Sequence, residues 1–272
     1  MSGGAAQIGA VPAAQIIVDH VSHTYTPPRG RPVLALDDLQ LEIRQDEFVA
    51  LLGPSGCGKS TLLYLIGGFI PVTQGQITVD GRRITAPGPD RGVVFQSFAL
   101  FPWMSVRRNV RYGLEKLGLP RAEQERRAQA FIDMVHLTGF EDSYPSQLSG
   151  GMRQRVAIAR TLAVQPSILL MDEPFGALDA QTREIMHEEL LAIMARQRMT
   201  TVFVTHDVRE AVFLADRVVV MSARPGRIRE IVPISLPERT PAVLKSDAFL
   251  QHVDRLGHLM RDETLRAERI RA

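Results

Sequence analysis

The segment GPSGCGKS, at residues 53–60, has the composition and spacing of a loop that binds nucleotide phosphates. Gly53, Gly56 and Gly58 carry no side chains, so successive backbone N–H groups can approach the phosphate oxygens closely. Lys59 adds a positive charge, and Ser60 offers a hydroxyl group to a magnesium ion. Nucleotide contacts are expected along the whole loop, whose other members are Pro54, Ser55 and Cys57, and at Thr61, which follows it.

The segments on either side of this loop supply the context that phosphate binding needs. The apolar run at residues 48–52 predicts a buried strand that enters the loop. Residues 61–66 predict a helix that leaves it, and the positive N-terminal end of such a helix faces the anion. The sequence therefore places a strand, a glycine-rich loop and a helix in the order of a nucleotide site.

A second motif, LSGGMRQRVAIAR, lies at residues 148–160. Its first four residues include two consecutive glycines, and the rest is a basic, helix-forming run. The acidic segment ILLMDEP follows it at residues 168–174. The order and spacing of the phosphate loop, LSGG and the acidic segment resemble the ATP-binding-cassette family over about residues 16–232. In that family the LSGG of one copy caps the ATP held by the phosphate loop of another, so the resemblance implies a homodimer with two shared sites.

The resemblance assigns roles to the start of the second motif. Its signature residues are Leu148, Ser149, Gly150, Gly151 and Gln154. The Ser149 hydroxyl and the N–H groups of the two glycines would face the γ-phosphate of the partner's ATP at a helix start. A simple capped helix is the alternative, but two consecutive glycines are a poor choice for capping alone.

Asp172 and Glu173 form an acidic pair at the end of an apolar strand. Phosphoryl transfer mostly requires positioning and charge stabilisation, with one group that orients the attacking water. The resemblance implies that Asp172 binds magnesium, directly or through water, and that Glu173 is the catalytic base. Lys59 would assist catalysis by neutralising the phosphate oxygens. A purely structural acidic pair is the alternative, which the neighbouring phosphate loop disfavours.

Two further polar residues gain a role only from the resemblance. His206 lies just beyond the predicted strand at residues 201–204, and the matching histidine of the family contacts the γ-phosphate. By position alone, a lone histidine would be a surface or packing residue. Gln96 follows the strand-like run at residues 92–95 and resembles the family's magnesium-contacting glutamine, at the hinge into a helical lobe.

Tyr25 and Asp179 are assigned in the same way. Tyr25 follows the first predicted strand, and by resemblance it stacks on the adenine ring; a tyrosine in a surface turn is the alternative. Asp179, in the segment GALD, resembles the family's loop that crosses the dimer interface. The serine that is more frequent in this loop is Gly176 here, which removes one polar side chain.

The segment SFALFPWMSV at residues 97–106 carries several large apolar side chains, among them Phe101, Pro102 and Trp103. A cluster in the hydrophobic core is one explanation. The other follows from the resemblance, because in the family this region borders a groove that receives a cytoplasmic helix of the membrane subunit. The residues alone do not separate the two explanations.

The bulk composition fits an ordinary globular protein of 272 residues, with 45% hydrophobic and 23% charged residues. A net charge of +2 is too small to indicate nucleic acid or anionic lipid as the main partner. The single cysteine, Cys57, excludes an intramolecular disulfide. A thiol in a phosphate loop could be reactive, because a helix N-terminus lowers its pKa; alternatively, any small side chain fits there.

The periodicity of the apolar residues outlines the elements that must position these groups. Apolar runs that alternate with helical spacing predict a parallel sheet covered on both faces, interrupted by a helical lobe at about residues 97–165. The predicted strands are 16–21, 39–43, 48–52, 77–79, 92–95, 168–171, 201–204 and 218–221, and the predicted helices are 61–66, 149–163, 182–196 and 208–215, with helical spacing from 106 to 135. The resemblance implies the matching α/β fold, a P-loop NTPase (RecA-like) core with an antiparallel β subdomain and an inserted α-helical subdomain.

Three regions are expected along the chain: a disordered tail at residues 1–14, the ATPase domain at 15–240 and a C-terminal helical extension at 241–272. The extension has an apolar face formed by Phe249, Leu250, Val253, Leu256, Leu259 and Met260. Docking against the protein's own core or a second copy is favoured over a membrane surface, because the polar face is rich in acidic residues.

No segment has the pattern of a membrane span. The longest uncharged stretch, residues 60–79, is interrupted by glycine, proline and polar residues, and it predicts a helix, a turn and a strand. Any membrane role must then come from partner chains. The resemblance implies the ATPase subunit of a bacterial importer, peripheral on the cytoplasmic face of the inner membrane, with two integral membrane permease subunits and a periplasmic or lipoprotein substrate-binding protein.

Several stretches narrow the branch of the family. PGPDRGVVFQ, LFPW, MDEPFGALDAQTRE and SARPGRI together resemble the ATPases of nitrate, taurine and aliphatic sulfonate importers, and the first of them favours taurine. One alternative is an importer of the same family for an unrelated small solute. The other is a soluble cassette ATPase that acts on nucleic acid or ribosomes. Such relatives usually carry a long coiled-coil insertion or two cassettes in one chain, and neither is present, so nucleic acid is not expected as a partner.

Overall fold

The computed structural model describes residues 14–271, apart from the side chains of residues 270 and 271. The tail predicted at residues 1–14 falls outside this range except for Ala14, which begins the first strand. The strands of the described residues are β1 Ala14–Tyr25, β2 Val33–Arg44, β3 Phe48–Leu52, β4 Gln74–Val79, β5 Arg82–Arg83, β6 Arg91–Val94, β7 Ile168–Asp172, β8 Thr200–Thr205, β9 Arg217–Met221 and β10 Ile228–Pro233.

The helices of the same part of the chain are α1 Lys59–Gly67, α2 Val106–Lys116, α3 Arg121–Met134, α4 Gly150–Ala163, α5 Ala180–Arg196, α6 Val208–Leu214 and α7 Asp247–Arg271. Two short 3₁₀ turns lie at Pro145–Gln147 and Pro241–Lys245. Each predicted helix overlaps an observed one, and the helical spacing from 106 to 135 resolves into α2 and α3 because Gly118 and Pro120 separate them.

The larger sheet has six strands in the order β10-β9-β3-β8-β7-β6. The pairs from β9 to β6 are parallel, and β10 runs antiparallel at one edge. Every residue of β3, β7 and β8 is buried, which confirms the prediction of a parallel sheet covered on both faces. The segments that follow β3, β7, β8 and β9 therefore emerge at one edge of this sheet.

The smaller sheet is antiparallel, with the order β2-β1-β4-β5. β1 and β2 have twelve residues each, about twice the predicted lengths. The alternation of buried and exposed residues in β1 is interrupted near His20, which has a φ of 48° at an irregularity in the pairing with β2. The strand continues beyond this bulge, and its end brings Tyr25 towards α1.

Helices α2, α3 and α4 form the lobe that interrupts the chain between β6 and β7. α2 packs against α3 and α4, and α4 also packs against β6 and α5. Val110 and Leu114 of α2 and Phe131 and Ile132 of α3 are buried in the same core as the inner residues of the parallel sheet. The lobe is therefore packed onto the sheet through a continuous apolar interior.

The C-terminal helix α7 packs against α6 and β9. Phe249 and Leu256 are fully buried, and the guanidinium of Arg209 in α6 lies 5.1 Å from the centroid of the Phe249 ring. Leu250 is exposed, although it was predicted to share the apolar face. The helix thus uses its apolar face on the protein's own core. Among residues 14–271, no helix combines the length and the apolarity needed to cross a bilayer.

Candidate nucleotide site

The phosphate loop joins β3 to α1, and its glycines adopt backbone conformations that other residues rarely take. Gly56 has a φ of 80° and Gly58 a φ of 103°, both in the left-handed region. A Cβ at Gly58 would also lie 2.5 Å from Cδ2 of Leu36 in β2, so only glycine fits. Gly58 is the N-cap of α1, which leaves the N–H groups of the first helical turn available to an anion.

Lys59 holds the loop closed from the inside. Its buried Nζ donates hydrogen bonds to the carbonyl oxygens of Gly53, at 2.7 Å, and Pro54, at 3.2 Å. An ammonium group has three donors, so a third remains for a phosphate oxygen. The loop's own carbonyl oxygens therefore fix the position of the lysine.

Cys57 is 1% exposed, and burial raises the pKa of its thiol despite the nearby charge of Lys59. The sulfur lies so close to Gly53 that a Cβ there would come within 2.8 Å of it. A buried, neutral thiol is a packing group rather than a nucleophile. The structure favours the explanation that this loop position takes any small side chain.

Ser60 and Asp172 meet at the carboxyl edge of the parallel sheet. Oγ of Ser60 donates to Oδ1 of Asp172 at 2.7 Å, and the Tyr64 hydroxyl donates to Oδ2 at 2.7 Å. Burial, together with the bond to Asp172, raises the pKa of Tyr64, so this hydroxyl remains a neutral donor. Tyr64 was not predicted from the sequence, although its place one turn after Ser60 on α1 puts both hydroxyls on one face.

These oxygens fit a magnesium ion that shares its coordination with a nucleotide. A hydroxyl and a carboxylate side by side are donors that Mg²⁺ prefers, and it is usually held by one or two carboxylates together with substrate phosphates. No group of three or more His, Cys, Asp or Glu side chains in the described chain could hold a metal by itself. Ser60 and Asp172 would therefore bind the ion only in part.

Glu173 and His206 follow the neighbouring parallel strands β7 and β8. Nδ1 of His206 lies 3.1 Å from Oε2 of Glu173. Glu173 has a φ of 42°, a left-handed conformation that is uncommon outside glycine and concentrates at functional sites. Its N–H still donates to the carbonyl of Val204 at 3.0 Å, so the strand pairing ends where the carboxylate turns towards His206.

A buried polar network lies behind His206 and was not predicted. Glu210 in α6 accepts a hydrogen bond from the Thr205 hydroxyl, and Nε2 of His187 in α5 lies 2.7 Å from its other oxygen. The Thr205 hydroxyl in turn accepts from the N–H of Asp207 at 3.0 Å. The network therefore holds the residues on both sides of His206. Its members come from three separate elements, which gave no local pattern in the sequence.

Tyr25 lies beside the phosphate loop, whereas Gln96 shares no hydrogen bond with the proposed magnesium ligands in the described structure. The Tyr25 hydroxyl is 3.3 Å from Oγ1 of Thr61, and its ring is 42% exposed and packs against the edge of His23. Such a ring has an open face on which a base can stack. Gln96 is exposed two residues beyond β6, and in the described structure its side chain makes no hydrogen bond to Ser60.

The signature segment begins α4. Ser149 is exposed and is the N-cap, and its hydroxyl accepts from the N–H of Met152 at 3.3 Å. The glycines that follow lie against the start of α5: a Cβ at Gly151 would come within 2.7 Å of Thr182. Leu148 is buried, and Gln154 is fully buried without a hydrogen-bond partner for its amide among the described residues.

Asp179 caps α5 next to the signature segment. Its carboxylate accepts hydrogen bonds from the N–H of Thr182 at 2.9 Å and from the Thr182 hydroxyl at 2.7 Å. Both bonds lower the pKa of Asp179, and the bond from the Thr182 N–H has the larger effect. The loop residue assigned to a dimer interface is therefore a charged and exposed helix cap in the single chain.

Trp103 is 67% exposed, which is not the environment of a core residue. Phe101 is half-buried between Trp103 and Tyr112, with ring centroids 5.8 Å and 4.6 Å away. The fully buried Asn109 accepts from the Phe101 N–H at 2.9 Å and donates to its carbonyl at 3.2 Å. A fixed backbone thus presents Pro102 and Trp103 to the outside.

Two relatives identify the group of proteins to which the chain is similar. The nitrate import ATP-binding protein NrtD of Synechocystis sp. is 47% identical over 251 residues, which cover 90% of this chain and 94% of that protein. The taurine import ATP-binding protein TauB of Rhizobium johnstonii is 52% identical over 211 residues, which cover 78% of this chain and 80% of that protein.

A solved structure confirms the fold. The dimeric ATP-binding cassette MJ0796, in a post-hydrolysis state bound to ADP and Pi, matches with a TM-score of 0.72 and 32% identity over 81% of this chain and 99% of that chain. The predicted core with an antiparallel subdomain and a helical subdomain is therefore confirmed. The family described as ABC transporter matches residues 36–176. The chain belongs to the ABC transporter family, as an ATPase whose hydrolysis of ATP is coupled to transport.

Proposed function

We propose that the chain is the ATPase subunit of a bacterial importer for a small anion or sulfonate, and that it works as a homodimer on separate membrane subunits. The observation that carries the proposal is that Ser60 contacts Asp172 and Glu173 contacts His206 at the strand edge beside the phosphate loop. The signature glycines lie beside Leu178 and Thr182. The dimeric relative bound to ADP and Pi supports a site that a second copy completes.

The chain's own residues divide the chemistry of ATP hydrolysis. Glu173 orients a water molecule and accepts its proton as the water attacks the γ-phosphorus and the bond to the bridging oxygen breaks, which yields ADP and inorganic phosphate. Lys59 and His206 stabilise charge on the γ-phosphate oxygens. Mg²⁺, when bound, would neutralise phosphate charge; Ser60 and Asp172 would hold it, with Gln96 as the third proposed ligand.

The rest of the nucleotide is held by the loop and by Tyr25. Backbone N–H groups of residues 56–61 bind the phosphates, with residues 53–55 shaping the start of the loop, and Tyr25 stacks on adenine with its exposed ring. Its position 3.3 Å from Thr61 supports this role, because the adenine end of the nucleotide must lie near the loop.

The second copy supplies the signature. Ser149, Gly150 and Gly151 present a hydroxyl and N–H groups at the start of the 14-residue helix α4, which is a favourable site for the partner's γ-phosphate. The buried Leu148 and Gln154 set the position of this helix start in the lobe. Asp179, the exposed N-cap of α5, crosses to the partner. The dimeric relative with bound ADP and Pi supports this arrangement.

The exposed loop with Phe101, Pro102 and Trp103 is the surface that meets the two permease subunits. An aromatic anchor on a rigid backbone is a suitable recognition device, because little conformational entropy is lost when it is buried. Closing two copies around ATP would move the helical lobes and carry this surface with them. The ATPase would then lie on the cytoplasmic face of the inner membrane, with a periplasmic or lipoprotein binding protein delivering the substrate.

The substrate proposal depends on the relatives whose names state a substrate, nitrate for one and taurine for the other. Both substrates are small and carry an anionic group, which defines the class proposed here. The experiment is to identify the permease and the binding protein that assemble with the chain and to co-express the three. Titrating that binding protein with taurine, an alkanesulfonate and nitrate identifies the ligand; a protein that bound none of them would contradict the class.

The shared site has its own test in mixed dimers. Lys59→Ala removes the loop lysine, and Gly150→Asp places a carboxylate where the partner's γ-phosphate would lie. A Cβ at Gly150 meets only Leu178 at 3.5 Å, an ordinary contact, so the second variant should fold normally. Each variant alone should be inactive. Mixing them restores one intact site per heterodimer, whereas sites completed within single chains would leave the mixture inactive.

A further inference from the structure

The turn between β9 and β10, residues 222–227, lies directly against the phosphate loop. A Cβ at Gly226 would come within 2.0 Å of the Cys57 carbonyl oxygen, so the turn and the loop are in backbone contact. The N–H of Gly226 donates to the Ala35 carbonyl at 2.8 Å, and the N–H of Asp37 donates to the Gly226 carbonyl at 3.0 Å. The turn is therefore tied to β2 on one side and packs on the loop on the other.

The last turns of α7 hold the other end of this turn. Glu263 is fully buried, and its Oε2 accepts a hydrogen bond from the N–H of Ala223 at 2.9 Å. Its Oε1 accepts from Arg229 of β10 at 2.8 Å and from Arg266 at 2.9 Å. Three donors thus satisfy one carboxylate, and they include the backbone of the turn that contacts the phosphate loop.

α7 also faces the loop across a cleft. A cleft of about 270 Å³ is lined by loop residues 54–57, by Ala223 and Arg224 of the turn, and by Ala267 of α7. The end of the C-terminal helix therefore lies at the carboxyl edge of the sheet, where the nucleotide groups are gathered. Burying a carboxylate raises the free energy of the folded state unless the group is fully paired. If this position served only for packing, an apolar side chain would fill it without that cost.

We propose that Glu263 is a positioning residue for the phosphate loop, and that α7 is thereby a part of the nucleotide site. Glu263 fixes the N–H of Ala223, the turn sets Gly226 against Cys57, and this contact holds the loop in the conformation that presents its N–H groups. Glu263 touches no nucleotide itself. The proposal rests on the proposed function only where ATP is used as the probe.

The test compares three variants of the full chain at a temperature well below their unfolding transitions. Glu263→Ala removes the acceptor for the Ala223 N–H. Val253→Ala is the matched control, because it trims a half-buried residue that packs against the core from the same helix, far from the turn. Gly226→Ala disrupts the contact between the turn and the loop directly, because its Cβ would clash with the Cys57 carbonyl oxygen. It therefore shows how large the effects on exchange and affinity are when this contact is lost.

Two measurements are made on each variant. Amide hydrogen exchange of the peptide that spans residues 53–60, without nucleotide, reports the order of the loop. Titration with MgATP reports affinity. Glu263→Ala and Gly226→Ala should both speed exchange in this peptide and weaken MgATP binding about tenfold, the effect of losing one hydrogen bond to a charged group. Val253→Ala should leave both values within about twofold of the unmodified chain.

Exchange at residues 53–60 that is unchanged in Glu263→Ala would overturn the proposal. Equal changes in exchange and affinity in Val253→Ala would also overturn it, because they would indicate that the whole helix had loosened. Failure of the unmodified chain to bind MgATP would contradict the proposed function instead. In that event the exchange arm would still test Glu263, since it requires no ligand.

Discussion

Nδ1 of His206 and Oε2 of Glu173 lie 3.1 Å apart, and this contact links the ends of two neighbouring parallel strands. Glu173 reaches it through a left-handed backbone conformation, and His206 is held on both sides by the network of Thr205 and Glu210. The two side chains proposed to act on the attacking water and on the γ-phosphate are therefore within hydrogen-bonding distance of each other.

Glu173→Gln should bind ATP with nearly unchanged affinity and hydrolyse it roughly 10²–10⁴-fold more slowly, because the amide cannot accept the proton of the attacking water. Size-exclusion chromatography with ATP should then detect a persistent dimer. The measurements are steady-state phosphate release and nucleotide titration. Near-normal turnover in this variant would rule out Glu173 as the base.

His206→Ala should reduce hydrolysis about 10²-fold or more while ATP binding changes little, because one donor to the γ-phosphate is lost. His206→Gln is the informative companion, since its amide can still donate a hydrogen bond. Activity and affinity are measured separately, together with the melting temperature. If binding and hydrolysis fell together with a lower melting temperature, the residue would have a structural role instead.

Asp172→Asn should remove the magnesium dependence of ATP binding, because a neutral amide is a weaker ligand for a hard cation. Tyr64→Phe is the matched control: it removes the other hydrogen bond to Asp172, costs about 1 kcal/mol of stability and leaves the magnesium ligands in place. Thermal unfolding with ATP, in the presence of magnesium or a chelator, detects the difference as ligand-induced stabilisation. Loss of magnesium dependence in Tyr64→Phe as well would contradict the assignment of Asp172.

Trp103→Ala should leave the isolated chain stable and active, because this side chain is mostly exposed. In the assembled complex the same variant should lose uptake, or lose the permease on purification. Leu250→Ala is the control: it trims an exposed apolar residue elsewhere, on α7, and should affect neither uptake nor retention of the permease. Wild-type uptake by the Trp103→Ala complex would show that this surface does not couple the ATPase to the permease.

Cys57 should react slowly with thiol reagents at neutral pH, because it is buried and its pKa is raised. The thiolate fraction rises with pH, so the rate should increase as pH approaches the raised pKa. Mass spectrometry of a maleimide time course, with Cys57→Ala as the unreactive control, gives the rate. Forced labelling should prevent ATP binding, and a fully labelled protein with normal affinity would show that the thiol does not affect the site.

Predictions from local sequence patterns agreed with the structure where the determinants are contiguous. Strand β3 matches its predicted bounds because an unbroken apolar run between Glu47 and Gly53 defines it. Strands β1 and β2 were predicted too short. The backbone is irregular at His20 and Asp38, which have positive φ values, and the hydrogen-bonded pairing continues past both residues to Tyr25 and Val33. The exposure of Leu250 was not predicted either, because the elements that pack against α7 determine which of its apolar residues are covered.

The sequence by itself determined the phosphate loop, the acidic pair, the signature segment and the alternation of strands and helices, because each depends on residues close together in the chain. Only the tertiary structure decided that Ser60 contacts Asp172 across 112 positions, that Tyr64 shares this carboxylate, and that Glu263 of α7 binds the backbone of the turn that packs on the phosphate loop. Such contacts depend on strand order and helix docking, which side-chain periodicity does not encode.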